Sequence, residues 1–358
     1  MKVIQYLSLL LPLALLTACG TTNTESVDPT TTAAASVATD PAYPYVESTD
    51  DRLSSLIAPG TTPERLGGGF EWAEGPEWIP GTDGGMLVFS DVRANRAYKW
   101  TAAGGVEVYL EPSGFTGAYF AGKEPGSNRL FTGPDGSLYL CQHGDRRIAR
   151  MTSPVTDPKP EFTTLVGFYE GKRLNSPNDV VWHENGDLYF TDPPYGLPGG
   201  QEDSSVKELD FQGVYRFRFQ DSSLTLLTSE IPRPNGIAFT PDYRYLLVAN
   251  SQASQATWTK YPVLDDGTLG EGELFRDLTD RTPSPFENIP DGMAMHSSGN
   301  LFATGPGGVL IFSPEGEELG VIRTGQTTAN CTFNEDESML YITADSVLLR
   351  VAMVVPEG

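Results

Sequence analysis

The chain has 358 residues, with 38 Gly, 28 Pro, three Cys and three His, and a formal charge of −23. Such acidity excludes nucleic acid and anionic membrane surfaces as partners held by charge. It selects no substrate, because exported domains are often acidic for solubility alone.

Residues 1–19 open with Met1-Lys2 and an apolar run from Leu7 to Leu16, closed by Leu16-Thr17-Ala18-Cys19. A spanning helix needs about 20 apolar residues, and this run is shorter, so it reads as a secretory signal. Its ending resembles the bacterial lipoprotein processing box. The resemblance implies Cys19 as the lipidated first residue of an exported protein, anchored in the cell envelope (periplasm or outer membrane) and touching the membrane only through lipid. Residues 20–51 are mainly Thr, Ser, Ala, Asp and Pro, with little to bury, and are expected as a disordered tether. Residues 52–358 then form one all-β domain, in which Cys141 and Cys331 are expected as buried free thiols.

Along that domain a short unit recurs: an Asp, Asn or Gly turn followed by a strand rich in Leu, Tyr and Phe. With Asp83, Asp135, Asn185, Asp242, Ser298 and Glu337 as landmarks, the steps are 52, 50, 57, 56 and 39 residues. Steps of this size suit four-stranded propeller blades, so six units predict a six-bladed β-propeller with a central channel. The short last step points to a final blade completed by an N-terminal strand.

Seven residues before five landmarks stands a polar residue: Asn128, Asn178, Asn235, Asp291 and Asn330. Glu74 precedes the first landmark by nine, consistent with a two-residue insertion. Residues at one place in every innermost strand face the axis together, so these six are expected in the channel. By strand alternation, Asp179 is expected to point away from it.

Five segments carry a resemblance to the regucalcin/gluconolactonase family of six-bladed propeller hydrolases, relatives of diisopropylfluorophosphatase. They are Ala73-Glu74-Gly75-Pro76-Glu77-Trp78, Leu174-Asn175-Ser176-Pro177-Asn178-Asp179-Val180, Tyr189-Phe190-Thr191-Asp192-Pro193-Pro194-Tyr195-Gly196, Pro234-Asn235-Gly236 and Pro290-Asp291-Gly292-Met293. The resemblance implies a central-channel metal site with Glu74, Asn235 and Asp291 as ligands and Asn178 binding the metal or lying beside it. The segment Lys123-Glu124-Pro125-Gly126-Ser127-Asn128 departs from the usual Asn-Gly pattern.

Two carboxylates and two amides make an all-oxygen set suited to Ca²⁺, although Mg²⁺ or Zn²⁺ can also enter such an open site. A cation there can polarise a carbonyl and lower the pKa of water, which is what lactone hydrolysis needs. Asp291 is the candidate general base, as well as a ligand. The ends of the second strands should rim the site, which makes His143, Asp192, Tyr195 and Asn250 candidate substrate contacts beside Asn128 and Asn330. Trp72, Trp78, Phe115, Tyr119 and Phe120 can line the mouth. The expected activity is opening of a sugar-type lactone. Rival readings are a phosphotriesterase or arylesterase on the same site, and a ligand-binding propeller with a structural metal.

Overall fold

A computed structural model describes residues 43–199, 205–281 and 289–355. The signal, Cys19 and residues 20–42 of the tether lie outside them. Six antiparallel sheets form the blades of a propeller. Their innermost strands are Ala73–Ile79, Ser127–Thr132, Val180–Trp182, Pro234–Phe239, Met293–Met295 and Thr328–Phe333, for blades 1 to 6. Among the described residues helix is confined to short 3-10 turns such as Asp51–Ser55.

The turns follow from their side chains. In blade 2, Asp135 accepts the N–H of Ser137 at 3.1 Å, and Gly136 supplies the left-handed residue at φ +73. In blade 3, Asn185 accepts from Asp187 at 2.9 Å, and in blade 4 Asp242 accepts from Arg244 at 3.2 Å. Such local bonds are why Asp and Asn favour turns. In blade 6 the acceptor is Asp336, and the landmark Glu337 itself takes the left-handed position, one residue away from where equal spacing puts it.

Where the channel residue sits, the inner strand is irregular. The pairing slips between Glu74 and Glu77, Ser127 and Leu130, Pro234 and Ile237, and Thr328 and Asn330. A bulge re-aims side chains and breaks simple alternation. Neighbouring blades are stitched beside these bulges by buried hydroxyls. Ser90 donates to the carbonyl of Asn128 at 2.7 Å, Thr191 to that of Asn235 at 2.8 Å, Ser251 to that of Pro290 at 2.6 Å, and Thr304 to that of Ala329 at 2.9 Å.

Core residues lie between adjacent sheets: Phe302, Ile311 and Ile322 of blade 5 pack with Cys331, Ile342 and Leu349 of blade 6. Cys141 and Cys331 are buried and unbridged. Two N-terminal strands finish the ring. Glu64–Gly68 pairs with the last strand of blade 6, Arg65 opposite Leu349, which is the closure that the short final spacing predicts. Tyr45–Ser48 adds a fifth strand to blade 5, Tyr45 opposite Arg323 and Ser48 opposite Gly320. The tether therefore stops before Tyr45, not at residue 51. Backbone pairing and an Arg323–Glu47 ion pair at 2.8 Å hold a segment that composition alone marks as loose.

Candidate functional site

One cavity of about 150 Å³ at an end of the channel gathers Glu74, Asn128, Asn178, Asn235 and Asp291. Glu74, Asn128, Asn178 and Asn235 are nearly inaccessible to solvent, and Asp291 is half-buried. Each comes from a different blade; pairing slips flank Glu74, Asn128 and Asn235, while Asn178 and Asp291 donate their N–H groups to the carbonyls of Thr191 and Thr304.

Burial, and the charges of Asp179 and Glu124, push the Glu74 carboxyl above its usual range; the N–H of Gly75 at 3.0 Å pulls the other way. Asp291 is pushed up as well, by burial and then by Glu74. Two such acids in one cavity call for a cation or protons. The amide oxygens of Asn128 and Asn235 are buried with no protein hydrogen-bond partner among the described residues. Among those residues no group of three or more His, Cys, Asp and Glu is placed to hold a metal. The donor set is thus two carboxylates with amide oxygens, which fits a hard divalent cation.

Asn330 takes a different place from the one expected. It hydrogen-bonds the Glu74 side chain, and its own side-chain oxygen accepts the N–H of Cys331 at 2.8 Å, so it supports Glu74 and does not line the cavity. Asp179 departs from alternation. It is fully buried 3.8 Å from Arg129, and its charge reaches both Glu74 and Asp291. Arg129 also lies 3.6 Å from Glu77, so a cation sits beneath the acids.

Of the rim candidates, Tyr195 does line the cavity, and burial raises its hydroxyl pKa, keeping the proton on. Asp192 and Asn250 do not. Asp192 accepts the N–H of Asn175 at 2.8 Å, and burial pushes its carboxyl up to about 7. Asn250 accepts the N–H groups of Arg233 and Gln252, each at 3.2 Å. Asp91 does the same in blade 1, taking the N–H of Trp72 at 2.9 Å. These strand-end residues clamp the segment that leads into a channel residue, which leaves them turned away from substrate. His143 is fully buried and does not line the cavity; its Nδ1 lies 3.3 Å from Glu124 Oε2, and neither ring nitrogen has a hydrogen-bond partner among the described residues.

Four lining residues escaped the sequence reading: Arg93, Glu124, Ile289 and Thr327. Arg93 stacks over Trp72 at 4.8 Å. Glu124 had a signal, since it stands in the run that departs from the family pattern. Of the aromatic candidates Trp72 lines the cavity, whereas Trp78 stacks on Tyr341 at 5.3 Å between blades, and Tyr119 is exposed.

The sequence profile of the SMP-30/Gluconolactonase/LRE-like region matches residues 72–346. A gluconolactonase from Zymomonas mobilis subsp. mobilis is 40% identical over 306 residues, covering 84% of this chain and 83% of that protein. A solved gluconolactonase from Xanthomonas campestris superposes with a TM-score of 0.72 at 30% identity, over 87% of this chain and 94% of that one. A calcium-binding regucalcin from Agrobacterium tumefaciens shares the fold, with a TM-score of 0.61 at 16% identity over 83% of this chain and 96% of that one.

Proposed function

The chain belongs to the SMP-30/gluconolactonase/LRE-like family, and from that premise we propose that it hydrolyses a sugar-type lactone with one divalent cation, Ca²⁺, held by Glu74, Asn178, Asn235 and Asp291. The observation that carries this reading is the convergence of two acids and unpartnered amide oxygens in one cavity. The cation supplies Lewis acidity toward a carbonyl oxygen and lowers the pKa of water.

The protein's own groups do the rest. Asp291 takes a proton from the attacking water at a carboxylate oxygen while the new bond to the lactone carbonyl carbon forms. The ring C–O bond then breaks, and the ring oxygen receives that proton, leaving an open hydroxy acid. A base of this kind contributes about 10²–10⁴-fold. Tyr195, kept protonated by burial, donates its O–H to the developing oxyanion. The packed blades keep bulk water from the reacting carbon.

Export and a lipid anchor at Cys19 belong to the same proposal and rest on the Leu16-Thr17-Ala18-Cys19 ending. The Cys19→Ala chain should take up no labelled lipid and leave the detergent phase. The activity is tested with lactones, aryl esters and phosphotriesters, before and after chelation verified by metal analysis. Lactone turnover lost on chelation and restored by Ca²⁺ is the expected result, and full turnover without metal rules the mechanism out.

A further inference from the structure

We propose that Glu124, oriented by the buried imidazole of His143, selects a hydroxylated lactone ring by accepting hydrogen bonds from its hydroxyl groups. The inference rests on the lactonase reading and names the group that reads the substrate.

Glu124 lines the same cavity as Glu74, Asn178 and Asp291. It stands outside their ligand group, since among the described residues no three acids are placed on one metal. Its charge is nonetheless felt by both acids. A carboxylate close to the metal position but not on it is free to meet the part of the substrate that does not react.

The carboxylate is held in place. His143 Nδ1 lies 3.3 Å from its Oε2, and the imidazole is fully buried. Its root is tightly packed: a Cβ on Gly196 would lie 2.4 Å from the Cβ of His143, so the loop between the second and third strands of blade 3 is pressed against it. The His143 backbone N–H donates to the carbonyl of Gly126 at 3.1 Å, two residues after Glu124. Gly126 in turn donates to Val92 at 2.8 Å, and Asn95 pins the front of the loop through Gly114 at 2.8 Å and Phe115 at 3.1 Å. A carboxylate has about four acceptor positions, enough to take the paired O–H donors of a polyol ring. An apolar ring offers nothing in return for stripping water from this charge, so it gains nothing from Glu124.

Hydrogen bonds to a charged group are worth roughly 10- to 100-fold in binding. The full chain with Ca²⁺ is assayed on D-glucono-1,5-lactone and on δ-valerolactone, the same ring without hydroxyls. Calorimetry with 1,5-anhydroglucitol, which keeps the hydroxyls and lacks the carbonyl, reads recognition apart from turnover. Glu124→Leu should lower kcat/KM for gluconolactone by about 100-fold, mainly through KM, weaken 1,5-anhydroglucitol in parallel and leave δ-valerolactone unchanged. Glu124→Gln, which keeps one acceptor oxygen, should fall between. His143→Gln should show the same selective loss, smaller in size. Because His143 is buried and its variant can fail to fold, the Glu124 variants on the loop are the decisive ones. Equal losses on both lactones, or no loss on either, overturn the inference while leaving the lactonase reading intact. A parent chain inert toward both lactones overturns the lactonase reading and this inference with it.

Discussion

Blades 1, 4 and 5 follow their channel residue with glycine, whereas blades 2, 3 and 6 follow it with Arg129, Asp179 and Cys331. The reason lies in the next blade. A Cβ on Gly75 would be 2.1 Å from the carbonyl oxygen of Asn128, one on Gly236 2.2 Å from that of Asp291, and one on Gly292 2.0 Å from the side chain of Asn330. In these three blades the missing side chain is the space into which the neighbouring channel residue advances. Glu74, Asn235 and Asp291 all come from them. The other three blades spend the same position on filling the axis, with an Arg129–Asp179 pair and a buried thiol. Glu-Gly, Asn-Gly and Asp-Gly are therefore packing statements as much as chemical ones.

The contrast can be broken from either side. Asp291→Asn, in a glycine blade, should lose about 10²–10⁴-fold in kcat even at saturating Ca²⁺, whereas Glu74→Gln should recover much of its kcat as Ca²⁺ is raised. Calorimetric Ca²⁺ affinity alongside kcat separates the two, and an Asp291→Asn enzyme restored by loading would leave Asp291 a ligand only. In the filled blades, Arg129→Met strips Asp179 and Glu77 of their buried cation and should cost about 3 kcal/mol of stability by denaturant unfolding.

Calcium itself should raise the melting temperature, by the equivalent of about 2.7 kcal/mol at a hundred times its dissociation constant. The gain should be larger at pH 8 than at pH 5. Glu74 and Asp291 hold protons in the folded chain at pH values where the unfolded chain has released them. Stability without metal therefore falls as pH rises from the ordinary carboxylate range through their raised pKa values. Ca²⁺ replaces those protons and binds best above that window. Melting curves with chelator and with Ca²⁺ at both pH values check this, and equal gains would contradict it. Smallest is Gly236→Ala, which forces a Cβ onto the carbonyl of Asp291 and should cost about 1–3 kcal/mol of stability. The equivalent change Cys331→Ala should leave Ca²⁺ affinity untouched.

The channel was legible in the sequence because spacing along a repeated strand is a geometric quantity. Glu74, Asn128, Asn178, Asn235 and Asp291 occupy one register place in five blades, and five blades bring them into one cavity. The rim was less legible, because the end of a strand locates a backbone and leaves the side chain's direction open. Asp192 and Asn250 reach the right face and then turn onto nearby N–H groups. Asp179 was misplaced because Asn178 and Asp179 share one partner, Thr191, which takes the N–H of the first and donates to the carbonyl of the second, and this sets aside the alternation on which its expected direction depended. Glu124 belongs to a loop whose path is set by Asn95 and Val92, contacts that spacing does not encode. The strand at Tyr45–Ser48 was missed for a similar reason, its partners at Gly320–Arg323 being far along the chain.

The seam between first and last blades has a consequence in time. Glu64 meets Arg350 across 286 residues of chain. At about 5–20 residues per second of synthesis, its partner is polymerised roughly 15–60 s later. Until then the strand has no sheet partner, the condition under which edges recruit other chains. Its sequence, Glu64-Arg65-Leu66-Gly67-Gly68, suits the wait: two charges, two glycines and a single large apolar side chain give a passing strand little to join. The ring can thus be left open for as long as its last strand takes to arrive, with its latch kept unattractive to everything but that strand.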